Sequence, residues 1–267
     1  MQVAGAIDIV ILNFNNRELL QKCIESIKEN TEGGYNIIIV DQGSHDGSRE
    51  WLQQENIAPH LVLNKRNVGC AEGRNQGIKV GKNEWIVCID SDIEIKDKEW
   101  LDKMWNYTID ESIGVIEAKV RERTWDAGKD KFGGMAFCMI RRKCFERVGE
   151  FDKHFQIGED LEWWTRLEWS SWKTAYCATT DILHKKGGTI RNGCLKERSE
   201  RLVMEADLLL RYKYGADFRN STLEKNIRRR RSKNFELIGG TETFDEEVSY
   251  GTNYGVGSTS ADSGTYE

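Results

Sequence analysis

The sequence predicts an α/β fold, a mixed, mostly parallel β-sheet flanked by helices on both faces. Short β-branched runs alternate with stretches whose apolar residues recur at helical spacing. The alternation is regular from residue 7 to residue 119. Acidic residues also stand directly after two of the buried runs, Asp41 after residues 36–40 and Asp90 after residues 84–89. Ligands of parallel sheets bind beyond the carboxyl ends of the strands, so both acids fall on the expected binding edge.

Taken in order, residues 7–12 (IDIVIL) predict the first buried strand. Residues 17–29 predict a helix, with Leu19, Leu20, Cys23, Ile24 and Ile27 on one face. Strands follow over 36–40 (NIIIV), 60–63, 84–89 (EWIVCI) and 113–119, with helices over 46–55, 71–80 and 98–107 between them. The right-handed crossover rule then gives a doubly wound layer. After residue 119 the alternation stops. Residues 121–134 are polar and contain glycine, which predicts a loop; helices are predicted over 141–148 and 161–170. Residues 199–214 are amphipathic, with Leu202, Val203, Ala206, Leu209 and Leu210 sharing a face.

Composition divides the rest of the chain. One domain is expected over 1–195, dividing near 118/119 where the alternation stops. Residues 196–233 carry twelve Lys or Arg against six Asp or Glu, which reads as a basic helical extension. Residues 234–267 carry seven acids and no Lys or Arg, and are rich in Gly, Ser and Thr, which reads as a disordered tail. No apolar run reaches 18 residues, and residues 1–12 lack the basic start of a signal peptide. The seven cysteines form no Cys-x-x-Cys pair. This excludes a zinc cluster of ordinary spacing and fits a reducing cytoplasm. A net charge of −5 gives no strong case for nucleic acid. The run Arg228, Arg229, Arg230, Arg231 and Lys233 suggests peripheral contact with an anionic membrane, with a solvated helix end as the plainer reading.

Five segments carry chemistry. Asp90-Ser91-Asp92 ends a hydrophobic strand, and carboxylate oxygens suit Mg²⁺ or Mn²⁺ bridged to a diphosphate. A solvated strand-end turn is the structural alternative. In VDQGSHDGS, Asp41 is placed to accept from a nucleobase N–H, while Asp46 or Ser48 would cap the next helix. In NVGCAEGRN, Gly69 and Arg74 lie at a helix start, a setting that favours an anion. Glu159-Asp160 opens a helix, which fits either simple capping or a general base. His184, followed by Gly187-Gly188, offers an imidazole as a further metal ligand beside Asp92.

In this order the segments resemble glycosyltransferase family 2, the inverting enzymes of the GT-A fold. The resemblance runs from Ile7 to about His184, through IVILNFNNRELLQKCIESI, VDQGSHDGS, NVGCAEGRNQGI, IDSDIEI and GGMAFCMIRRKCFERVGEFDKHFQIGEDLEWWTRL. It implies that Leu12, Phe14 and Asp41 line the nucleotide base, and that Gly69 and Arg74 help hold the nucleotide. It implies that Asp90 and Ser91 sit at the ribose or metal, that Asp92 and His184 bind the metal, and that Asp160 is the base with Glu159 beside it. Three positions depart from the family pattern. Gln42 stands where many members have Asp or Asn, Gly73 replaces a small Ala, and Trp163-Trp164 replaces a more ordinary stretch. Aromatic faces stack on sugar rings, which offers Trp163 and Trp164 to the acceptor; both as core is the structural alternative, and one buried with one exposed is the favoured expectation.

The implied reaction is metal-assisted, inverting transfer of a sugar from a nucleoside diphosphate sugar, with UDP-sugars favoured, to a hydroxyl of a glycan, lipid-linked or protein acceptor. A nucleotidyltransferase would need a Gly-rich phosphate loop near the N-terminus, which LNFNNREL does not supply. A non-catalytic nucleotide-sugar-binding module is opposed by the intact acids.

Overall fold

The computed structural model describes residues 5–54, 57–58, 60–122, 130–132, 134–155, 158–185, 205–206 and 208–214. Arg228–Lys233, the acidic tail and Gly187-Gly188 lie outside the described residues. Among those described, no helix is long and apolar enough to cross a membrane.

Strand β1 (Ile7–Asn13) is followed by α1 (Arg17–Asn30), β2 (Tyr35–Asp41), α2 (Ser48–Gln54), β3 (His60–Leu63), α3 (Cys70–Val80) and β4 (Trp85–Asp90). Strands β3, β2, β1 and β4 lie side by side, all parallel. Their sequences are near-continuous apolar runs because both faces of the layer are covered. Every residue of β1 is buried. Alternation still decides which face each residue serves. Ile7, Ile9 and Ile11 pack with Leu20, Ile24 and Ile27 of α1, while Val10 packs on the opposite side with Ala71 and Ile78 of α3. Each such aliphatic side chain contributes roughly 1.5–3 kcal/mol by leaving water.

The remaining strands extend the same sheet. Strand β5 (Ile93–Ile95), α4 (Trp100–Trp105), a 3₁₀ turn (Asn106–Ile109), β6 (Ile113–Glu122), β7 (Asp130–Phe132), β8 (Phe137–Arg141), α5 (Arg142–Val148), α6 (Glu159–Glu168) and β9 (Lys173–His184) complete the described elements. The order becomes β3-β2-β1-β4-β8-β6-β9-β5, with β7 on β6. Strand β8 lies antiparallel between β4 and β6, β9 runs parallel to β6, and β5 is antiparallel to β9.

Here the structure corrects the sequence pattern. The expected loop over 121–134 contains the end of β6, all of β7 and the start of a 3₁₀ turn at Gly134–Ala136. Strands β5, β8 and β9 are not apparent from the pattern. The two tryptophans are also corrected, because both are buried. Trp163 stacks on Phe145 and packs against Phe151, and its Nε1 donates to the Gly149 carbonyl at 2.8 Å. It is a core residue, and its burial withdraws it from the acceptor surface. Trp164 packs edge-on against Trp163. Trp163→Ala is expected to cost about 3–5 kcal/mol of stability. Urea unfolding would measure it; a loss below about 1 kcal/mol would show that the residue is not core.

Candidate functional site

Register places the first part of the site. Asn13 pairs with Asp41 and Leu12 pairs with Asp90, so three strand ends meet at one edge. Leu12 is buried and Phe14 half-buried at that edge. Asp41 is fully buried. Its carboxylate accepts from Asn13 Nδ2 at 2.9 Å, from the Gly43 and Ser44 N–H groups at 3.1 and 3.0 Å, and from Arg49 Nη1 at 3.2 Å. Asp41 therefore holds the turn after β2 in shape. Asp46 accepts from the Ser48 N–H at 3.1 Å and so closes the turn that leads into α2.

The second part is the acidic turn. Asp90 ends β4, Ser91 is buried, and Asp92 leads into β5. Strand β5 pairs with β9 so that Ile93 faces His184, which carries the imidazole to the acids across a long sequence separation. Asp92 Oδ1 lies 3.1 Å from His184 Nε2, and the Lys185 N–H donates to the Asp92 carbonyl at 2.9 Å. Ligand atoms of Asp90, Asp92 and His184 all fall within 4.8 Å of one another. Two carboxylates and one imidazole form a donor set that fits Mn²⁺ well and Mg²⁺ acceptably. Burial pushes the Asp90 pKa up, Arg74 works against that shift, and the Asp92 charge adds to it. The side chain nevertheless keeps 31% exposure.

The third part joins α3 to α6. Arg74 of α3 is buried, with Nη2 on Asp90 at 3.0 Å and Nη1 on Glu159 of α6. Burial disfavours the guanidinium charge, but Glu159 and Asp90 outweigh it and hold the group protonated. The neighbouring Asn75 donates to the Phe151 carbonyl at 2.8 Å and accepts from the Phe151 N–H at 3.0 Å. Adjacent residues of one helix thus grip both the start of α6 and the segment leading to it. Gly158, with φ +76°, turns the chain into α6. Asp160 Oδ1 then accepts from the Leu161 N–H at 2.8 Å.

Burial pushes the Glu159 pKa up to about 7, Arg74 only partly opposing it and Asp160 adding to it. A carboxyl whose folded pKa lies above the ordinary 4.5 contributes stability that is complete below 4.5 and is lost as pH rises through about 7. Glu159→Gln is therefore expected to flatten this part of the melting-temperature profile between pH 4.5 and 7. Parallel profiles for the parent and the variant would refute the shift.

Asp90, Asp92, His184, Arg74 and Glu159 are thus brought together, with Asp160 next in chain to Glu159. Trp163 is not. The Arg74–Glu159 ion pair and the Asn75 clamp have no local signal, because their partners lie 85 and 76 residues away.

Comparisons with known proteins bear on the family and the fold. The family model described as glycosyl transferase family 2 matches residues 8–160. Glycosyltransferase GlyG of Streptococcus pneumoniae is 36% identical over 96 residues, covering 34% of this chain and 31% of its own. Glycosyltransferase AglE of Haloferax volcanii is 23% identical over 185 residues, 60% of each chain. The chain thus spans less than two thirds of the length of these curated relatives. Among solved structures, a mannosyltransferase from Pyrobaculum calidifontis in complex with GDP-Man and Mn²⁺ matches with a TM-score of 0.59 at 14% identity. The match covers 89% of this chain and 73% of that one, and shows the shared GT-A fold.

Proposed function

The chain belongs to glycosyltransferase family 2, and from that premise we propose that it moves a sugar from a nucleoside diphosphate sugar to an acceptor hydroxyl with inversion. The observation that supports this reading is the chain of contacts Asp90–Arg74–Glu159, which ties the acidic turn to the residue that precedes the candidate base Asp160. Uridine is the favoured base on the family resemblance.

Asp160 accepts the acceptor's proton as its oxygen attacks the anomeric carbon from the face opposite the diphosphate. The bond to the diphosphate oxygen breaks as the new glycosidic bond forms, so the configuration inverts. Glu159 acts through Arg74 as a positioning residue. Asp90, Asp92 and His184 would hold a divalent cation, which supplies Lewis-acid neutralisation of the leaving diphosphate. Leu12, Phe14, Asp41 and Gly69 shape the base pocket, and Ser91 lies on the ribose side.

A thermal-shift screen of UDP- and GDP-sugars with Mn²⁺ or Mg²⁺ tests the donor class. A shift with UDP-sugars is expected; a shift only with GDP-sugars would overturn the uridine assignment. No shift with any nucleotide sugar would overturn the whole reading.

A further inference from the structure

Two departures from the family pattern, Gln42 and Gly73, touch one another. Gln42 follows β2 and is only 3% exposed. Its Nε2 donates to the Gly69 carbonyl at 2.8 Å. Its Oε1 accepts from Asn64 Nδ2 at 3.1 Å and from the Val68 N–H at 3.4 Å. Asn64 Nδ2 in turn donates to Gln76 Oε1 on α3 at 2.8 Å. One side-chain amide therefore ties residues 64–69 to the end of β2 at three points. The Gly69 carbonyl it holds also accepts from the Gly73 N–H at 3.1 Å, the first turn of α3.

Gly73 makes this arrangement fit. A Cβ at residue 73 would stand 2.1 Å from Gln42 Nε2 and 3.1 Å from both Gln42 Cδ and Leu12 Cδ2. The end of a glutamine can swing, but this one is buried and bonded at both ends. Moving it leaves buried donors and acceptors unsatisfied. The adjoining turn is equally close, since a Cβ on Gly43 would meet the Arg66 Cα at 2.8 Å.

We propose that Gln42 and Gly73 are a matched pair that positions residues 64–69 and the start of α3 for the donor's nucleoside. Gln42 is a positioning residue, because both ends of its amide are occupied by the protein. The inference rests on the nucleotide-sugar reading for its ligand, while the pairing itself does not.

The test is a double-mutant cycle of Gly73→Ala and Gln42→Ala, read by melting temperature without ligand and by calorimetric titration of UDP and of GDP with Mn²⁺. Alanine is a better helix former than glycine. Helix propensity alone therefore makes Gly73→Ala stabilising. The pair makes the opposite sign: Gly73→Ala lowers the melting temperature in the parent, and leaves it unchanged or raises it in the Gln42→Ala background. Nucleotide affinity falls on the order of tenfold in either single variant, with little further loss in the double.

Equal melting shifts in the two backgrounds overturn the pair. So does a double variant that fails to fold, since Leu12 alone would then forbid the side chain. A Gly73→Ala chain that folds only with Gln42→Ala supports it. Coupled melting with unchanged nucleotide affinity overturns the positioning role. Coupled melting with no nucleotide bound even by the parent instead removes the nucleotide-sugar reading, and the ligand assignment with it.

Discussion

Asp160→Asn is expected to lower the turnover rate by about 10²–10⁴-fold, the range over which a positioned base contributes, while nucleotide affinity stays near that of the parent. The substitution is nearly isosteric. An asparagine carbonyl can still accept the Leu161 N–H bond that Asp160 Oδ1 makes at 2.8 Å, so the start of α6 keeps its shape. What is lost is the capacity to take a proton. The neighbouring acid gives the contrast. Glu159 is buried beneath Arg74, so Glu159→Gln keeps a hydrogen-bonding partner for the guanidinium and is expected to cost far less in rate. Steady-state rates with saturating donor, together with nucleotide titration, check both variants. Undiminished transfer by Asp160→Asn would remove it as the base. An equal loss from Glu159→Gln would move the proton transfer one residue back.

The legible parts of the fold are those where burial is symmetrical. Strands β1, β2 and β4 are covered on both faces, so their sequences are plain apolar runs, and the acids that end them stand out. Strand β9 (KTAYCATTDILH) mixes buried, half-buried and exposed residues without a regular period and meets β6 through two register shifts. Its polar residues therefore hide the strand, and with it the route by which His184 reaches Asp92. Strand β8 is short and runs directly into α5, so FCMIR resembles the approach to a helix. The tryptophans fail for another reason. Neighbouring helix residues point about 100° apart, which suggests one buried and one exposed. Yet α6 is enclosed widely enough, by α5 and the Phe151 segment among others, that both are covered. Gln42 and Gly73 are visible as unusual letters in the sequence, but only the fold shows that they touch.

Removal of divalent metal is expected to stop turnover, and Asp92→Asn to reduce it by roughly 10²–10³-fold, as for loss of one electrostatic stabiliser of a developing charge. The argument rests on three side chains converging from two separate strand ends: Asp90 and Asp92 on the turn after β4, and His184 at the end of β9. An ion held there would tie β5 and β9 together as well as meet the diphosphate. Metal binding should therefore stabilise the fold before any donor is added. At a free ion concentration 100 times its Kd the gain is about 2.7 kcal/mol, visible as a raised melting temperature. Asp92→Asn and His184→Ala should each lose most of that rise, because each deletes one of three protein ligands. Gln42→Ala, which removes none of the three ligands, should keep it. If Mn²⁺ raises the melting temperature of Asp92→Asn as much as that of the parent, the ion binds elsewhere. If chelator leaves transfer at its full rate, the leaving diphosphate must be neutralised by side chains alone. Arg74 would not then be the obvious substitute, because its guanidinium is already held between Glu159 and Asp90.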